Sequence, residues 1–162
     1  TFAAGMSVLM SGVRMFLAEI TAAFVIISEK FIPGSRPALD VPTVFPYAPN
    51  AVIIGFISAY AAGLLAVFVM AALPSVFPVV IIPAAHICFF SGGTAAVFGN
   101  SSGGWRGAVL GSFVVGLLLA FLPTILYPLY GSLGVQGATF PNVDYNVVGT
   151  ILHKILQIIK PI

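Results

Sequence analysis

Residues 51–73, AVIIGFISAYAAGLLAVFVMAAL, run for the width of a bilayer without one charge. As a helix the stretch would be about 35 Å long, against a hydrocarbon core of roughly 30 Å. Small residues recur along it at helical spacing, from Gly55, Ser58 and Ala59 to Ala62, Gly63 and Ala66, which suits close helix packing in lipid. A second run, 107–130, is equally apolar: GAVLGSFVVGLLLAFLPTILYPLY. Pro123 is expected to kink it. Tyr127 and Tyr130 close it, and Trp105 and Arg106 mark its other end, where such side chains prefer the lipid–water boundary. The whole chain of 162 residues has only six basic and four acidic side chains. A soluble domain uses charge on about a quarter of its residues, and ten charges could not cover a water-facing surface. This balance excludes a soluble enzyme domain and a disordered chain. The net charge of +2 is too small for a nucleic-acid surface. The expectation is an all-α integral membrane protein.

The rest of the chain is less uniform. Residues 6–32 read as a helix interrupted by Arg14, Glu19, Glu29 and Lys30, either a span or a helix partly in the interface. Pro33 and Gly34 end it. Residues 74–100 are apolar but punctuated by Pro74, Pro78, Pro83, Gly92, Gly93 and Gly99, and so predict a broken or re-entrant segment. Residues 131–149 form a polar, Gly-rich loop. Residues 149–160 predict a terminal amphipathic or truncated helix, with Thr150, His153, Lys154, Gln157 and Lys160 on one face. The chain starts at Thr1 inside an apolar stretch, with no basic n-region, and looks like a piece of a longer protein.

Residues 33–50, PGSRPALDVPTVFPYAPN, carry the chemistry. Prolines at 33, 37, 42, 46 and 49 exclude a regular helix and push their predecessors towards extended backbone. Lodged between membrane-length segments, this strip predicts a re-entrant hairpin. Non-helical backbone at that depth is tolerated where protein buries it or where it lines a wet cavity, and carriers place substrate sites there. Asp40 lies in this strip. A carboxylate near the bilayer centre costs on the order of 2.5–3.5 kcal/mol, so it needs compensation. It could accept hydrogen bonds from substrate hydroxyls, pair with Arg36, or sit solvated in a loop. Thr43, Ser91 and Thr94 are further candidate substrate contacts, the last two in a small polar turn that either faces the same cavity or forms a hairpin tip.

Other groups point nowhere specific. His86 in an apolar run reads as a packed residue, and Cys88, the single cysteine, as a buried inert thiol. Arg14 and Glu19 are five apart and do not share a helix face. Asp144 and His153 read as solvated. No catalytic triad, paired carboxylates or metal-ligand set is visible, and no cofactor is expected. A small oligomeric channel would need a continuous polar face along 51–73 or 107–130, and neither has one.

Four strings go further. GVRMFLAEI (12–20), IPGSRPALDVPTVFPYAPNAVIIGF (32–56), VVIIP from Val79 and GGTAAVFGNSSGGWRGA (92–108) together resemble the ascorbate-type membrane component, EIIC, of the bacterial phosphoenolpyruvate-dependent sugar phosphotransferase system. The resemblance runs from about residue 7 to about residue 149 and covers the C-terminal portion of such a carrier. It implies a multi-pass protein of the bacterial inner membrane that binds and translocates L-ascorbate. A cytoplasmic EIIB partner would phosphorylate the substrate from a phosphocysteine. It also implies a homodimer with a core domain that moves against a dimer-forming domain, no catalytic residue in this chain, and a ligand contact at the position of Asp40. Cys88 lacks a phosphate-cradling loop and does not stand in for the EIIB cysteine. The chain departs from the family at Val41, where cysteine is common. A carrier for another polyol such as galactitol, or a non-transporting membrane fragment, are the alternatives.

Overall fold

A computed structural model describes residues 2–35, 41–77, 79–130, 137 and 139–159. Asp40 and Arg36 lie outside the described residues. The protein is an all-α membrane protein: among the described residues all regular structure is helical. Three helical segments, Ser7–Lys30, Pro49–Ala72 and Ala85–Pro128, are long and apolar enough to cross a membrane.

Helix α1 (Phe2–Lys30) ends in a turn where Phe31 and Ile32 both donate to the Ile27 carbonyl. The Ser28 hydroxyl donates to the Ser35 carbonyl, 3.0 Å away, and folds the chain back. The proline strip then forms a 3-10 helix, Val41–Tyr47, where extended backbone was expected. The reason is local: the proline φ near −65° also suits a tight three-residue turn. Pro49 opens α2 (Pro49–Ala72), the position where a missing N–H costs nothing.

Residues 73–77 and 79–84, with Pro74 and Pro83, are not helical. Helix resumes at α3 (Ala85–Ile87), passes through a π-turn (Cys88–Gly92) and continues as α4 (Gly93–Tyr130). Helix α4 is two arms rather than one rod. Gly104 has φ +60° and ψ −152°, a backbone that other residues rarely adopt, and there the chain turns back on itself. Gly99 meets Gly107, Ala95 meets Gly111 and Gly92 meets Ser112 across the resulting hairpin. Gly92, Gly93 and Gly99 stand inside helical backbone, and Gly92 and Gly99 are points of closest approach rather than breaks.

Helix α2 packs into the hairpin, antiparallel to the first arm through Gly55 with Gly92 and Ala96, and parallel to the second through Ala59 and Gly63 with Gly116. Polar groups seal the contact. The Ser58 hydroxyl donates to the Val109 carbonyl at 2.9 Å. The buried Ser112 hydroxyl is shared between the carbonyls of Gly92 (2.9 Å) and Ala108 (2.7 Å). Thr124 reaches the Ala120 carbonyl (3.2 Å) and the Met70 sulfur (3.1 Å) from beside the buried Pro123. The contact is backbone on backbone, so a methyl group has no room. A Cβ at Gly116 would meet the Ala59 carbonyl, with the Ala59 Cα 2.8 Å away. Gly116→Ala should therefore lower stability by about 1–3 kcal/mol in thermal unfolding in micelles. Gly12→Ala on α1, where a Cβ meets nothing within 4 Å, should instead be neutral or gain about 0.5–1 kcal/mol.

The last helix, α5, spans Val143–Ile159 and starts six residues before the predicted 149. Its docking on α4 depends on the first turn. Val143 packs against the Ala59, Cys88 and Leu119 cluster, while most apolar side chains further along α5 are exposed.

Candidate functional site

The buried anchor of the 3-10 turn is Phe45. Phe45 is fully buried against Val52 and Phe89. Its ring lies edge-on to Phe89 with centroids 5.4 Å apart and stacks on Phe90 at 6.2 Å, geometries that add to simple burial. This anchor fixes Val41 and Pro42 at the mouth of a groove.

The groove has a volume of about 950 Å³. Ile87, Phe90, Ser91, Thr94, Ala95 and Phe98 form one wall. Their three- and four-residue spacing is one helix face. Ser91 belongs to the π-turn, an element that often marks functional positions. Val115 and Leu118 of the second arm form the floor, and Asn142, Asp144, Val147 and Val148 line the far side. Four polar residues thus line an otherwise apolar space: Ser91, Thr94, Asn142 and the exposed Asp144. The Thr94 hydroxyl donates to the Phe90 carbonyl at 2.8 Å, which leaves its oxygen as an acceptor towards the groove. A few polar groups on apolar walls make a site for a small polar molecule.

Of the candidate residues, Ser91 and Thr94 come together here, and Asp40 directly precedes Val41 in the sequence while lying outside the described residues. Thr43 lines a different pocket of about 270 Å³, with Arg14, Leu17, Pro46 and Tyr47. Arg14, at the side of α1, directs a guanidinium N–H to the Pro46 carbonyl at 3.5 Å. His86 is exposed beside Leu9, Phe56 and Phe89 on an apolar surface. Cys88 is buried. Among the described residues no group of His, Cys, Asp or Glu could hold a metal ion. Asp144, read from the sequence as solvated, is exposed, and it and Asn142 line the groove without having been candidates. The signal was present in P-N-V-D, a proline and a short polar side chain ahead of an apolar periodic run, which is a helix start.

The sequence matches the EIIC-GAT family, described as PTS system sugar-specific permease component, over residues 1–144. The chain belongs to that family. The match takes in every element from α1 through the hairpin and reaches Asp144. This EIIC-GAT chain is also 38% identical over 119 residues to the ascorbate-specific PTS system EIIC component of Mycoplasma pneumoniae (strain ATCC 29342 / M129 / Subtype 1). The aligned part is 71% of this chain and 18% of that protein, so the chain spans a minor part of the relative it matches. Membership and the spans together make it part of a multi-pass membrane protein.

Proposed function

We propose that this chain supplies part of the substrate site of a carrier that binds L-ascorbate and moves it across the bacterial cytoplasmic membrane. In this reading the carrier works as a homodimer, and a cytoplasmic EIIB partner phosphorylates the delivered substrate. The observation that carries the reading is the groove bounded by the proline strip, the hairpin and the start of α5, polar at a few points and built on a helix long and apolar enough to span a membrane. The similarity to the ascorbate-specific component supports the choice of substrate.

Ascorbate presents hydroxyl donors on a side chain and an anionic ring. Asp40 is assigned to the hydroxyls, either directly or as a protonated acid when the site is filled, because two adjacent anions repel. Ser91 and Thr94 supply acceptors from the opposite wall. Thr43 stays a candidate contact of the Arg14 side of the strip. No Lys, Arg or His lines the groove among the described residues, and this favours a second reading, an uncharged polyol such as galactitol. Uptake of radiolabelled ascorbate by the full-length carrier, with each compound as unlabelled competitor, separates the two. Ascorbate should compete at far lower concentration. Stronger competition by galactitol would replace the first reading with the second, and absence of labelled ascorbate uptake would overturn the first.

A further inference from the structure

We propose that Asp144, with Asn142 beside it, is a hydroxyl-binding, specificity-determining group on the far wall of the same groove. The inference rests on the carrier reading above and adds a residue from an element that the proline strip does not include.

Position comes first. Asp144, Val147 and Val148 are three and four residues apart on one face of α5, and all three line the groove. An acid in the first turn of a helix is already favoured by the helix dipole, but that interaction would be satisfied on any face. Here Asp144, an exposed residue, lines the same groove as Ser91 and Thr94.

The wall is also built to hold its place. Asn146 is fully buried, and its side-chain amide donates to the Phe140 carbonyl at 2.9 Å and the Asn142 carbonyl at 2.7 Å. The Thr150 hydroxyl donates to the Asn146 carbonyl at 2.7 Å. Val143 packs on Ala59, Cys88 and Leu119 from below. The entry to α5 is therefore pinned both to itself and to the helical hairpin, which fixes Asn142 and Asp144 relative to Ser91 and Thr94. A carboxylate accepts at both oxygens, an amide both donates and accepts, and a threonine whose proton is committed accepts. Facing groups of this kind suit a small molecule bearing several hydroxyls along a short chain. Asn146 is a positioning residue for this wall and touches no substrate.

The test uses the full-length carrier in membrane vesicles, with whichever of ascorbate and galactitol the wild type takes up. Asp144→Ala should raise KM roughly tenfold or more, as loss of a charged hydrogen-bond acceptor does, with the maximal rate within about twofold. Asp144→Asn should fall between. A merely structural role is excluded by a substrate analogue lacking one side-chain hydroxyl. Wild type should discriminate against it, and Asp144→Ala should lose that discrimination. Thermal unfolding of purified variants, and equilibrium binding with Asp144→Asn, keep the test decisive if the alanine variant folds poorly. An unchanged KM and unchanged discrimination overturn the inference while leaving the carrier reading intact. Uptake of neither compound by the wild type overturns both.

Discussion

Asp40→Ala in the full-length carrier should raise KM for ascorbate uptake by roughly 10- to 100-fold, with Asp40→Asn retaining more activity than the alanine variant. A hydrogen bond to a charged group is worth about 1.5–3 kcal/mol, and each 1.4 kcal/mol is a factor of ten. The amide keeps an acceptor oxygen and removes the repulsion of an anionic ring, whereas alanine removes both and leaves substrate hydroxyls unpaired. Uptake kinetics of the three proteins check the ordering. Equal loss in both variants would remove Asp40 from the hydroxyl-binding role. A water-borne thiol reagent offers a second check with Asp40→Cys, which should label more slowly once ascorbate is added. Free labelling with or without ascorbate would place the residue away from the ligand.

Phe45→Ala should cost about 3–5 kcal/mol, the usual result of emptying a buried aromatic site. Its ring is the contact by which the 3-10 strip is held to Val52, Phe89 and Phe90. Truncation opens a cavity between the strip and Val52, Phe89 and Gly93, and because Val41 and Pro42 of the same turn line the groove, the groove should loosen along with the fold. Phe45→Leu should recover much of the stability, because volume is largely restored, without recovering the edge-on ring pair. Thermal unfolding in micelles measures the first effect, and ligand-dependent stabilisation measures the second. A Phe45→Ala protein that melts like the wild type would show that the strip is held elsewhere.

Much of the fold was legible because lipid imposes a simple rule on the sequence. Uncharged runs of bilayer length must be helices, and the stretch at 51–73 becomes α2 at Pro49–Ala72. The strength of the glycines at 92, 99, 107 and 116 as contact points was harder to read. The same residue type marks a break, a turn or a close approach, and only the partner helix decides which. Gly104 is a turn, while Gly99, five residues before it, is a packing surface. In the candidate site, Ser91 and Thr94 could be named from a polar turn, but their partners could not. Asn142 and Asp144 lie some fifty residues downstream beyond a Gly-rich stretch, and no local pattern links the two walls. Thr43 shows the converse limit. It lines the Arg14 pocket, whereas its neighbour Pro42 lines the groove, because successive positions of a 3-10 turn point in different directions.

Where helices meet with carbonyls against Cα atoms, no cushion of side chains can change rotamer and let one rod slip past another. Gly55 on Gly92, Gly99 on Gly107 and Gly116 on Ala59 therefore fasten α2 and both arms into one block. On the carrier reading proposed above, a stroke must leave this block intact: the chain that leaves α2 runs straight back into it through α3 and the first arm, and Phe45 ties the proline-bearing strip to it, so the movement has to lie between the block and whatever packs around it.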